Sequence, residues 1–226
     1  MFRQIILTIV ASAALFSACQ PKTGGSDNWK AVYKNAYTNH DYTTAIVALN
    51  HLILTDSANR PDYYDSLAVY YIKKQRNYTA GKLIVDKGLA LSPDNYNFLE
   101  FKSIFLSAEN KLEESRNMLQ KAYKLSGLKK HLYMYATTYA SDKNLDEYSK
   151  IVDGFLYDPA TKPEKVEVSV DETTSQLVDI KALCYMDKAK IATNPVWIVS
   201  YIDSALLIEP TYQEALYFRE KLKGNK

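Results

Sequence analysis

The stretch Arg76-Asn-Tyr-Thr-Ala-Gly81-Lys-Leu-Ile-Val85-Asp-Lys-Gly88-Leu-Ala-Leu-Ser-Pro93 decides the fold class. A polar turn is followed by Tyr78, then a small residue at Gly81, a large apolar one at Val85 and a small one again at Gly88. Spacings of three and four put all of them on one stripe of an α-helix. The order recurs upstream in His40-Asp-Tyr-Thr-Thr-Ala45-Ile-Val-Ala-Leu49-Asn-His-Leu52, with Leu52 in place of the second small residue, and downstream in Asn110-Lys-Leu-Glu-Glu-Ser115-Arg-Asn-Met-Leu119-Gln-Lys-Ala122. The turns at His40, Arg76 and Asn110 are 36 and 34 residues apart. A period of that length marks an array of two-helix units. The two surplus residues of the first interval are expected in Thr55–Asp62, between helices, where insertions cost little.

The small residues Ala45, Gly81 and Ser115 let the two helices of a unit approach, and Tyr42, Leu49 and Val85 fill the groove beside them. One such unit cannot bury its apolar face, so neighbours must stack. Two further units fit the register. The fourth carries Leu132, Tyr135, Ala136 and Tyr139, then Leu145, Tyr148, Val152 and Phe155. The fifth carries Ala182, Tyr185, Met186 and Ala189, then Ile198, Ile202, Ala205 and Pro210, with Pro195 opening its second helix. Thr211 to Lys223 reads as an amphipathic helix that covers the open end, through Ala215, Leu216, Phe218 and Leu222.

The period and the placement of Trp29, Val32 and Ala36 ahead of Tyr42, Ala45 and Leu49 resemble the tetratricopeptide (TPR) family. The resemblance implies an all-α fold: a right-handed superhelix of about five TPR-like helix hairpins plus a C-terminal capping helix. It covers nearly all of residues 26–210.

The segment Lys162-Pro-Glu-Lys-Val-Glu-Val-Ser-Val-Asp-Glu172 breaks the period, and an irregular insertion is expected over about 158–173. Val166, Val168 and Val170 alternate with polar residues as in a strand. A lone strand cannot satisfy its own backbone. The segment is therefore either an exposed loop or an extended arm that pairs with a partner's edge strand.

Residues 1–18 read as a secretory signal, with Arg3 ahead of an apolar run from Ile5 to Phe16 that is too short to span a membrane. Leu15-Phe16-Ser17-Ala18-Cys19 resembles a bacterial lipobox. That resemblance implies acyl chains, palmitate among them, on Cys19 as the first mature residue. Residues 19–27 read as a flexible polar tether, and 28–226 as the helical domain. Gln20 after the cysteine, by the sorting pattern of such lipoproteins, implies the outer membrane, on its periplasmic or surface face. Cys184, left without a partner, reads as a small buried hydrophobe.

A net charge of +2 with 24% charged residues offers no global pull on nucleic acid. The three histidines, His40, His51 and His131, form no i,i+3 or i,i+4 pair, so no helical metal site is written and no cofactor is expected. No nucleophile elbow, zinc-binding helix motif or phosphate-cradling glycine loop occurs, and no catalytic residue is expected. Composition is skewed to 19 Tyr against 7 Phe and 2 Trp, which suits half-buried and interface positions.

In the TPR family the first helices of the units line a groove. By position, the resemblance places Lys30, Lys34, Tyr37, Tyr63, Tyr70, Lys73 and Lys74 there from the first two units, and Tyr133 from the fourth. The N-terminal half of that groove is basic and aromatic, which suits an extended peptide with carboxylates. The expected function is a lipid-anchored envelope scaffold, not an enzyme, that binds a protein or peptide partner and meets the membrane through its lipid. The competing expectation is a glycan- or nutrient-binding surface lipoprotein. That function would need one pocket with converging aromatic residues, whereas a scaffold needs an open groove.

Overall fold

The computed structural model describes residues 25–58, 60–158, 163–171 and 174–224. The signal segment, Cys19 and most of the tether lie outside the described residues. Two compact bodies divide the chain, one ending at Leu91 and the other starting at Ser92.

The first body holds α1 (Ser26–Thr38), α2 (Tyr42–Thr55), α3 (Arg60–Val69), a π-helical turn (Tyr70–Lys74) and α4 (Tyr78–Leu91). Ser26 and Asp27, assigned to the tether from sequence, are the first turn of α1, where an aspartate favours the positive helix end. The second body holds α5 (Tyr96–Ala108), α6 (Leu112–Ser126), α7 (Lys129–Ser141), α8 (Leu145–Tyr157), β1 (Lys165–Ser169), β2 (Ser175–Asp179), α9 (Ile180–Ile191), α10 (Pro195–Ile208) and α11 (Gln213–Gly224). Within each body, helices adjacent in sequence pack on one another.

The repeat signature has a backbone cause. His40, Arg76, Asn110 and Lys143 all lie in the left-handed region, with φ of 56°, 52°, 59° and 59°. After α1, the Asp41 N–H bonds Ala36 O and the His40 N–H bonds Tyr37 O. The same pair of bonds follows α5, from Lys111 to Leu106 and from Asn110 to Ser107, and follows α7, from Asn144 to Tyr139 and from Lys143 to Ala140. This is the Schellman closure of a helix end, made with non-glycine residues. Asp41 and Asn144 then cap the next helix through the Thr44 and Glu147 amides. The fifth hairpin turns differently. Pro195 starts α10, and a residue before proline is kept out of the α region. Asn194 accordingly sits at φ −85° and ψ 120° while its side chain caps the Val196 amide.

The surplus of the first interval falls inside a helix, not in Thr55–Asp62. Four residues separate α2 from α3, as four separate α4 from α5, whereas Arg60 to Lys74 exceeds the 13 residues of α1 and α5 by two. The π turn absorbs surplus length: Gln75 N–H bonds Tyr70 O, five residues back. Such turns hold an extra residue without breaking the helix.

The expected small-residue contacts are tight. Ala45 and Ser115 are fully buried, and Ser115 Oγ donates to Ser103 O at 2.9 Å. In the second body one core gathers Ala136, Tyr148, Val152 and Phe155 with Cys184. The next gathers Ala182, Met186, Ala189, Ile202 and Ala205 with Tyr212 and Ala215. Ala215, Phe218 and Leu222 of α11 close over this second core, while Leu216 faces outward.

The insertion is neither a loop nor an arm awaiting a foreign strand. β1 pairs antiparallel with β2, Val166 opposite Val178 and Val168 opposite Gln176. Val166 and Val168 lay their side chains on the cores, and Val170 remains exposed. The strand's missing partner lies in this chain, in a segment with weak alternation.

Candidate functional site

Two regions bring potential binding groups together, one in each body. In the first body, α1, α3 and the π turn carry the groove residues expected from sequence, but they are not equally available. Lys30 Nζ lies 2.7 Å from Asp56 Oδ2, and the Tyr63 hydroxyl donates to the same oxygen at 2.8 Å. That bond to Asp56 holds the Lys30 ammonium above its ordinary range. Tyr70 is 4% exposed and forms part of the core, its hydroxyl buried without a hydrogen-bond partner among the described residues. Burial pushes its phenol well up, and the nearby phenols of Tyr33, Tyr37 and Tyr42 add to the shift.

The accessible part of this region is an aromatic bed with one ammonium over it and further lysines exposed nearby in sequence. Tyr33 and Tyr37 lie with ring centroids 6.2 Å apart, and Tyr37 is 63% exposed. Tyr42 tilts against Tyr70 at 5.6 Å and carries Lys74 Nζ 5.7 Å above its ring. Lys34 and Lys73 are exposed. Tyr33 and Tyr42 were not among the expected groove residues. The i,i+4 spacing of Tyr33 and Tyr37 on one helix face was the available signal for the first. The two surplus residues of the first interval are the sequence trace of the π turn beside Tyr42, and they do not say where in the interval it falls.

In the second body, Tyr133 does not stand free in a groove. Its hydroxyl donates to Asp187 Oδ2 at 2.7 Å, and the Tyr148 hydroxyl donates to the same oxygen at 2.6 Å. Burial, then the Asp187 charge, pushes both phenols far above their ordinary value. Burial likewise pushes the Cys184 thiol up, so it is an inert core residue. His131, also buried, sits between Glu100 Oε2 at 2.9 Å and Ser126 Oγ at 2.8 Å. Among the described residues no three His, Cys, Asp or Glu side chains could hold a metal ion.

Beside Tyr133 opens a cleft of about 610 Å³, walled by the β-hairpin, α9 and α11. Its apolar lining is Val168, Val170, Leu183 and Phe218, and its polar lining includes Asp187, Lys190 and Glu214. Lys190 Nζ lies 2.8 Å from Glu214 Oε1 and 3.5 Å from Asp187 Oδ1. The hairpin wall is clamped at both ends. Glu164, just ahead of β1, accepts from the Lys129 and Lys130 amides at the start of α7, at 2.8 and 2.9 Å. Gln176 of β2 donates to Thr211 O at 2.6 Å and accepts from the Gln213 amide at 3.1 Å. Lys165 pairs with Glu209 at 2.7 Å. Sequence reading missed this cleft because its walls come from three separated segments.

No helix among the described residues is long and apolar enough to cross a membrane. No protein-family model and no curated protein sequence matches the chain. Solved structures do. A tetratricopeptide repeat protein from Parabacteroides merdae superposes with a TM-score of 0.64 at 13% identity, covering 87% of this chain and 72% of that one. PilF of Pseudomonas aeruginosa gives 0.60 at 13% identity, covering 97% and 92%. YrrB, described as a TPR protein with an unusual peptide-binding site, gives 0.53 at 15% identity, covering 92% and 98%. At such identities the likeness speaks to architecture alone. Together with the recurrent left-handed turns and the small-residue helix contacts, it shows that the chain has the tetratricopeptide-repeat fold.

Proposed function

We propose that this chain is a lipid-anchored scaffold of the bacterial envelope, holding a protein or peptide partner on the aromatic, basic face of its first two helix hairpins. The observation that carries the reading is the bed of Tyr33, Tyr37 and Tyr42 with Lys74 above it and Lys34 exposed on α1. Rings offer large contact area at low entropic cost, and exposed ammonium groups make charge-assisted bonds to carboxylates. The partner that fits is an extended segment with acidic side chains. The fold supports the reading, since repeat arrays present long surfaces rather than closed pockets. YrrB, a structural neighbour described as having an unusual peptide-binding site, supports a peptide as the class of ligand. Anchoring rests on the lipobox-like Leu15 to Cys19 and on Gln20 after it. Several acyl chains exceed the marginal, reversible hold of one.

Two measurements test this. Labelling cells with an alkyne-bearing palmitate analogue marks the protein, and Cys19→Ala abolishes both the label and its recovery with membranes. Affinity capture from detergent-solubilised envelopes recovers a partner that Lys34→Glu with Lys74→Glu releases. A captured partner indifferent to that double substitution refutes the face, and an unlabelled wild-type chain refutes the anchor.

A further inference from the structure

We propose that the cleft walled by the β-hairpin is a second binding site, and that its ligand is a neutral, hydroxyl-rich ring, a saccharide unit. The proposal is independent of the tyrosine–lysine face of the first body. The volume of about 610 Å³ falls within the roughly 300–1,000 Å³ of small-molecule sites. The walls are already in place. Gln176 fixes the hairpin to the α10–α11 turn, and the Tyr133 and Tyr148 phenols hold Asp187 through its Oδ2. A ligand therefore need not order them.

The charges choose the chemistry. Two carboxylates face one ammonium, so an anion meets net repulsion. A cation must compete with Lys190, which already holds Glu214 at 2.8 Å and approaches Asp187 at 3.5 Å. A neutral polyol needs no charge displaced. Each carboxylate has about four acceptor positions, and Asp187 spends two of them on its phenols, both at Oδ2. Its Oδ1 can accept from ligand hydroxyls, as can the lone pairs left on Glu214 after Oε2 accepts from the Tyr212 hydroxyl at 2.7 Å and Oε1 pairs with Lys190, and the Lys190 ammonium can donate to a ring oxygen. On the same helix as Glu214, three residues on, stands an aromatic platform. Tyr217 is 63% exposed, and Phe218 braces it edge-on, with centroids 5.9 Å apart and planes at 88°. A sugar's C–H face suits such a ring, and Val168 and Leu183 supply an apolar flank. The insertion that breaks the repeat period thus acquires a role: it turns one end of a helical array into a cleft.

The test is the labelled full chain on a printed array of neutral, aminated and acidic glycans, beside Tyr217→Ala and Glu214→Gln. Both positions lie outside the cores, and circular dichroism verifies that both variants fold. The expected result is binding to one or more neutral glycans, weakened roughly five- to tenfold by Tyr217→Ala. Glu214→Gln keeps an acceptor oxygen and weakens it less. No binding to any glycan overturns the proposal. So does preference for aminated glycans that Glu214→Gln abolishes, and so does binding that Tyr217→Ala leaves unchanged.

Discussion

The Tyr133 hydroxyl donates to Asp187 Oδ2 at 2.7 Å, joining α7 to α9 across 54 residues of sequence. Tyr148 meets the same oxygen from α8, so three helices converge on one carboxylate. Removing one donor leaves the carboxylate bonded by the other. Removing the acceptor strands two phenols and costs more, because an unsatisfied buried group bears its full desolvation penalty. Tyr148→Phe is expected to cost about 1 kcal/mol and Asp187→Ala about 2–4 kcal/mol. Urea unfolding monitored by fluorescence measures both, and equal losses for the two would contradict the shared-acceptor arrangement.

The same phenols set the alkaline limit of stability. Burial raises the folded pKa of Tyr133, Tyr148 and Tyr212 far above the unfolded value. The unfolded chain then loses protons that the folded chain keeps, so stability is intact below about pH 10 and falls as pH rises beyond it. Tyrosinate absorbance from Tyr133, Tyr148 and Tyr212 should appear only on unfolding, together with the loss of ellipticity. Tyr148→Phe should flatten the decline of stability above pH 10. A single smooth titration with unchanged ellipticity would rule this out.

Arg116 is the other buried junction. It donates through Nε to Thr138 Oγ1 at 3.1 Å and through Nη2 to Thr138 O at 3.3 Å and Asp142 at 2.8 Å. Its guanidinium also lies 4.1 Å over the Tyr139 ring. Arg116→Lys keeps the charge but loses the planar fork and the stack, at a cost of about 1–2 kcal/mol. Its third partner, Glu113, is 77% exposed, so Glu113→Gln should change stability by under about 0.5 kcal/mol. Chemical denaturation of the two variants checks the ranking, and a larger loss for Glu113→Gln would reverse the assignment.

The left-handed turns invite a gain. Lys143 has φ of 59°, a conformation that costs an L-residue about 1–2 kcal/mol, and glycine avoids most of that at some entropic expense. Lys143→Gly is expected to stabilise by about 0.5–1 kcal/mol, and Lys143→Val to destabilise by about 1 kcal/mol or more. Thermal melts of the pair decide, since a different conformation at 143 would remove the contrast.

The helical period, the turn positions at His40, Arg76 and Asn110, the small residues at the helix contacts and the closing helix are all readable from residue order. These were legible because each hairpin is specified by residues within one repeat, and a Schellman turn or a three-and-four stripe is written locally. Residue order also proposed a groove, but four of its eight residues are tied up inside the fold: Lys30 and Tyr63 at Asp56, Tyr70 in the core, and Tyr133 at Asp187. The pairing of β1 with Ser175–Asp179, the π turn that absorbs surplus length, and the cleft enclosed by the hairpin, α9 and α11 emerge from the folded chain alone. A strand is defined by what it pairs with, and a pocket by walls from distant segments. Neither leaves a period in the chain, because the contacts that create them are made between residues tens of positions apart.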